Sequence, residues 1–483
     1  MTIAIFSLVI GAFYSALTPK YRSIYQGASW QESLHGAEAG ADYGLFLLNQ
    51  LAVSTSNPAE YDWTANNWTY SNASYTSNGE RSLDSSYLPT FGGNNRVAVT
   101  RLAVDVYTRE SAAPYRPWFR IRSTARADLP GKYLSVDHRD AELRRMKLTA
   151  RNGSLDDPHV TRTVEVIARP KLRFARAITT AKGLTLGNSS GWRVDSFNSS
   201  DTAHSDPGTS AGGVYPSSAT ERLANGSIAT LEFFATEVTY GALISGNGAT
   251  VAGAVMTAGG DDPATVTHEN VSGSGGMEQT RIRDDFDDEI SPVTAPVWGV
   301  VSGNPPRNTN FATGNSAAAP ARYIVGGNLG AFAVTAPATG VGYIEILVNG
   351  NLNIGSGGGA EIVIPPNVYA TIYVDGNIDF GNGEVNANAA SSKVATHLTV
   401  YGVHATGTYS ASGNGTNILA FYGPNYDATL DGTITTMGAI VSKSFSISGG
   451  GNGGFHYDEA LGRTGDIVGW TVVSYFDDAR TDL

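Results

Sequence analysis

The sequence predicts a mainly β protein with a long N-terminal α-helix: an antiparallel β-sheet against the helix, followed by a parallel β-helix. Three observations predict it. The first seventeen residues are uncharged and run into an amphipathic segment, and alternating apolar and polar runs fill residues 96–170. In the second half a short Val/Gly/Asn phrase recurs at about the length of one β-helix turn. The expected order is a helix over 1–52 (apolar 1–17, amphipathic 18–52), a sheet domain with a loop-rich insertion over 53–173, and a β-rich connecting region over 174–322. A parallel β-helix over 323–462 and a C-terminal tail over 463–483 complete it.

Composition agrees with this division. A chain of 483 residues holds two or three domains. Only 16% of residues are charged and 57 are glycine, which favours short strands and turns. The net charge of -12, without a basic stripe, disfavours nucleic acid as a partner. Cysteine is absent, so neither disulfides nor cysteine-ligated zinc can brace the fold. Eight Asn-X-Ser/Thr sequons, Asn67, Asn72, Asn188 and Asn414 among them, are what an Asn/Ser/Thr-rich chain yields by chance.

Taken in order, Met1 to Leu17 (MTIAIFSLVIGAFYSAL) would form about 25 Å of helix, at the short end of a bilayer span. It has neither the leading basic residues nor the small-residue cleavage site of a secretory signal, so it is expected to belong to the working protein. Pro19 lacks a backbone donor and is expected to kink or melt the helix. Beyond it Ile24, Gly27, Trp30, Leu34, Ala37, Ala41, Leu45, Leu48 and Ala52 are spaced to lie along one side. Gly36, Gly40 and Gly44 recur every four residues and would admit a close neighbour.

Ala37, Glu38, Ala39, Gly40, Tyr43, Leu45, Leu47 and Leu48, placed after that apolar start, resemble the N-terminal helix of type IV pilin-like proteins. The resemblance implies a mature subunit, freed of a short leader, whose helix packs against copies of itself in an extracellular filament. It implies assembly through Ile5, Leu8, Ile10, Gly11, Phe13, Leu17, Pro19, Ile24, Trp30 and Leu34. It also implies an inner-membrane-held precursor and the pilus assembly machinery as partner. One departure stands out: most pilins carry Glu at the fifth mature position and this chain has Ile5, so pairing of that carboxylate with a neighbour's amine is lost.

Residues 53–95 are polar and aromatic and read as a loop-rich insertion, whereas RVAVTRLAVDVYT, WFRIRSTARA and RTVEVIARP read as half-buried antiparallel strands. The phrases TTAKGLTLG and VDSFNS, between Phe174 and Asp201, resemble pilin-like proteins with an appended β-helix. Val325-Gly-Gly-Asn-Leu recurs at Val348 and Val374 and in reduced form at Val400 and Phe421, offsets of 23, 26, 26 and 21 residues. Each valine is expected inside a coil. Gly350 and Gly376 are expected at equivalent corners, with positive φ as one reason for glycine, beside asparagines able to bond along the axis. The run 438–461, with its HYDEAL phrase, resembles the closing coil and cap of such proteins.

Candidate chemistry is sparse. Asp284, Asp285, Asp287, Asp288 and Glu289, with Asp261 and Asp262 upstream, form an acidic cluster where calcium is conceivable, although no EF-hand spacing is present and a solvated loop is the plainer reading. Asp375, Asn377, Asp379 and Asn382 imitate a calcium loop but coincide with repeat corners. His397, His404 and His456 are scattered and read as isolated surface or corner residues. No arginine lies between Arg322 and Arg463, which argues against a polysaccharide-cleaving site. The expected function is therefore a structural, non-enzymatic filament subunit with no cofactor. The alternatives are a minor tip or adhesin subunit binding surface glycans, and a membrane-tethered β-helix enzyme acting on polysaccharide.

Overall fold

The computed structural model describes residues 2–54, 63, 67–70, 80–91, 96–108, 118–128, 159–186, 192–206, 214–231, 244–246, 250–258, 272–273, 282–299, 301, 310–355, 360–448, 453–464 and 467–478. Within the N-terminal helix the described side chains are those of 20 and 23–50. The chain forms two units: residues 1–172 with 467–483, and residues 173–466.

In the first unit α1 (Thr2–Ser54) runs without interruption. The expected melting at Pro19 does not occur. Proline removes one donor but holds φ close to the helical value, and the turns on either side supply the remaining bonds. The strands are β1 (Trp68–Tyr70), β2 (Arg81–Leu83), β3 (Thr90–Phe91), β4 (Val97–Thr108), β5 (Trp118–Asp128) and β6 (His159–Leu172). They pair antiparallel in the order β1-β2-β4-β5-β6, with β3 on β4. Alternation decides which side faces inward: Phe119, Ile121, Ser123, Ala125 and Ala127 of β5 are buried. The intervening Arg120 and Arg122 pair with Asp105, Glu165 and Glu80.

The segment expected as a tail corrects the sequence reading. Ile467–Asp478 is a strand paired antiparallel with β6, and its Trp470 is buried against Phe119 at 5.4 Å. Register shifts between Ile467 and Gly469 and between Val472 and Ser474 break its alternation, which hides the strand from a period-2 reading.

Among the described residues, the second unit is built on a 22-stranded sheet whose strand pairings are all parallel. Ile346, Ile372, Val400, Phe421, Ile440, Ile178, Ile228 and Val255 lie in register on successive strands, and all are buried. Val325, Val348 and Val374 form a second such line, with 2%, 0% and 0% exposure.

The strand order was not legible in the repeats. Ile178 sits beside Ile440, so the chain starts mid-sheet, runs outward to Ile282, resumes at Ala321–Val325 on the opposite end and works back. The segment after Phe286 crosses the intervening strands: the Tyr422 hydroxyl donates to the Ser291 carbonyl (2.8 Å), and Trp298 meets Tyr373 edge-on at 6.2 Å. Consequently the run 438–461 does not cap an end. Gly454–Asp458 pairs with Arg193–Phe197, and the sheet continues past it.

Gly350 and Gly376 are stacked as expected, but for a different reason. Neither has a positive φ. A Cβ on Gly376 would lie 2.5 Å from the Gly350 carbonyl oxygen, and one on Gly350 would lie 2.8 Å from the Gly327 carbonyl carbon. Close backbone approach excludes a side chain there. Beside them the Asn328 side chain accepts from the Asn351 amide (3.0 Å), Asn351 from the Asn377 amide (2.9 Å), and Asn377 from the Thr408 amide (3.1 Å).

Candidate functional site

The most extended feature is α1. Its buried line in the first unit is Ser29, Ser33, Gly36, Ala37, Gly40, Ala41, Gly44 and Leu48. The glycines are used here: a Cβ at Gly36 would collide with Val97 and Ala125, one at Gly40 with Ser123 and Val99, and one at Gly44 with Ile121 and Leu102. The close neighbour that their spacing called for is the chain's own β4 and β5. The Asn49 carboxamide oxygen accepts from the Trp470 amide (2.6 Å). The Tyr475 hydroxyl donates to Glu38 Oε1 (2.7 Å) and draws that carboxyl below the usual range.

The predicted stripe is only partly used by this contact. Leu34 is half-buried against the sheet core, but Trp30 and Ile24 lie off the buried line at 44% and 64% exposure. Arg162 lies over the Trp30 ring at 4.0 Å and pairs with Asp477. Residues 23–28 are all exposed, and among the described side chains of α1 the seated ones begin at Ser29. The side chains of Ile5, Leu8, Ile10, Gly11, Phe13, Leu17 and Pro19 lie outside the described residues, although their backbone continues the helix. Among the described residues no helix is long and apolar enough to cross a membrane.

The acidic cluster does not converge. Asp288 pairs with Arg176 at 2.5 Å, Asp285 pairs with Arg283 at 2.8 Å, and Asp287 is exposed. Asp261, Asp262 and the Asp284 side chain lie outside the described residues. Among the described residues no three His, Asp or Glu side chains are grouped to hold a metal.

A polar cluster that the sequence did not disclose joins the two ends of the second unit. His456, expected as an isolated corner residue, is 8% exposed. Its Nδ1 lies 2.6 Å from Oδ1 of fully buried Asp195, and its ring stacks on Tyr215 at 3.5 Å. Tyr215 Oη and Arg193 Nε donate to Asp195 Oδ2 at 2.7 and 2.6 Å. Burial opposes the Asp195 charge, but these partners outweigh it and hold the carboxyl below its ordinary range. Asp458 Oδ1 accepts from the amides of Ser199 and Ala460, while complete burial pushes that carboxyl up. The Tyr457 hydroxyl donates to the Phe174 carbonyl at 2.7 Å. The VDSFNS and HYDEAL phrases are thus register partners, but residues 261 apart share no spacing rule that could reveal it.

Residues 319–464 match a family described as a domain of unknown function, DUF7305. A search of characterised proteins finds no match. Among solved structures, the competence-associated pilin ComZ from Thermus thermophilus aligns with 93% of this chain and 97% of its own at 12% identity, with a TM-score of 0.26. A score that low carries no inference about shared architecture.

Proposed function

We propose that this chain is a subunit of an extracellular, type IV pilus-like filament, polymerising through α1 and displaying its β-rich units outside. The observation that supports the reading is the division of α1. From Ser29 the helix is seated on its own sheet, while residues 2–28 extend it by about 40 Å through the uncharged stretch 2–17. The uncharged part, about 24 Å of that length, requires lipid or other subunits around it, and copies of the same helix meet that need. The natural partners are then other copies of this chain and, before assembly, an inner membrane and its pilus machinery.

In this reading the second unit is a parallel β-helix inserted into the pilin-like part. Strands that recur every 21–26 residues and pair in parallel register support that architecture. The function is structural rather than enzymatic, with no resident cofactor; incubation of purified filaments with bacterial and plant polysaccharides should release no oligosaccharides.

The decisive experiment is Leu8→Arg. An unpaired charge in a packed helical core is costly, and the fault recurs in every subunit. Filaments should vanish while both β-rich units remain folded by circular dichroism. Normal filaments from Leu8→Arg would overturn the reading in favour of a tethered monomer.

A further inference from the structure

We propose that the core of the second unit holds an internal water site between Asn417 and Thr436. Phe332, Ile362, Val385, Asn417, Thr436, Phe455, Val194 and Val251 lie in register on successive parallel strands. Registered residues of parallel strands share a face of the sheet. The other six belong to the apolar core, so Asn417 and Thr436 point into it. Both are 0% exposed. Nδ2 and Oδ1 of Asn417 and Oγ1 of Thr436 have no protein partner.

A third buried polar group without a protein partner lies in the same core. Tyr409 lies on the strand preceding Asn417, in line with Ile378 and Ala428; it is fully buried and its hydroxyl also lacks a protein partner. On the β-helix reading, on which this step rests, Tyr409 and Asn417 belong to one coil and Thr436 to the next.

Four unpaired polar atoms in two adjacent coils of an apolar core are a strong requirement for a ligand. Asn417 presents a donor and an acceptor, and no formal charge is present. The occupant must therefore both donate and accept and be small and neutral. Water meets each condition and needs two to four polar partners, which this site supplies.

The test is Thr436→Val, nearly isosteric, in the full-length chain, read as the folded-to-unfolded ratio in urea. With water bound, the substitution removes one of its anchors and lowers the ratio about fivefold. With a dry core the same substitution removes an orphaned hydroxyl and raises the ratio, which overturns the site. Asn417→Leu combined with Thr436→Val should recover at least half of the loss, because the column becomes apolar throughout. A density map of the unsubstituted protein should show a peak within hydrogen-bond reach of both side chains. Coiled strands without that peak overturn the water site alone, whereas a map in which Val385, Asn417, Thr436 and Phe455 are not on successive parallel strands overturns the β-helix reading as well.

Discussion

Replacing Gly376 with alanine tests the packing of the second unit most directly. The new Cβ would stand 2.5 Å from the oxygen and 2.6 Å from the carbonyl carbon of Gly350. Ordinary carbon contacts are about 3.5–4.0 Å, so the strands would have to separate locally by about 1 Å. Both obstructing atoms are backbone and cannot rotate away. Overpacking of this kind costs about 1–3 kcal/mol. Separation also misaligns the bond from the Asn377 amide to Asn351, worth about 1 kcal/mol more. The expected loss is therefore about 2–4 kcal/mol, read as a lowered urea midpoint of the second unit. Gly326 is the control: it lies in the same repeat, one residue earlier, with open space around its Cβ direction and no positive φ. Gly326→Ala should be neutral or slightly stabilising, because it restricts only the unfolded chain. Equal midpoints for Gly376→Ala and the unsubstituted protein would refute the close-approach argument.

Other predictions follow from the remaining sites. Asp195→Ala strands His456, Tyr215 and Arg193 around a buried gap, and should cost about 3–5 kcal/mol in chemical denaturation of the second unit. Because Asp195 is held below its unfolded value, its contribution is present above about pH 4 and is lost as pH falls through the folded value. Asp458 has the opposite sign: its raised carboxyl favours the fold most below about pH 4 and loses that contribution as pH rises through the folded value, so Asp458→Asn should gain stability at pH 7 relative to pH 3. Urea midpoints at both pH values check the pair. Trp470→Ala should destabilise the first unit by about 3–5 kcal/mol in thermal unfolding, since it empties a buried site against Phe119.

What was legible in the sequence was whatever repeats at short range. The alternation in WFRIRSTARA located β5, and the Val325, Val348 and Val374 phrases located three strands in their true register. What escaped depended on distant pairing. No local pattern in Ile178–Thr180 announces a place beside Ile440, and nothing around Asp195 announces His456. The glycines of α1 were recognised as a close-approach line, but the sequence could not say that β4 and β5 would fill it. Positive φ was the wrong explanation for Gly350 and Gly376, because composition cannot separate glycine chosen for a turn from glycine chosen for stacking.

The second unit is spliced into the first between β6 and the strand Ile467–Asp478, and this bears on traction. Leu172 and Ile467 are register partners, so the chain leaves the first unit and returns to it at one end of one antiparallel pair. A pull on the second unit would load both strands from that end and in the same direction. They would not slide past each other, and the load on both would be passed to the ladder between β5 and β6. At the other side of the splice, the bond from Tyr457 to Phe174 and the pairing of Gly454–Asp458 with Arg193–Phe197 tie the two leads together, so tension would pass between them without unwinding the strands in between. Cutting either lead alone would leave a single strand of the pair to take the whole load.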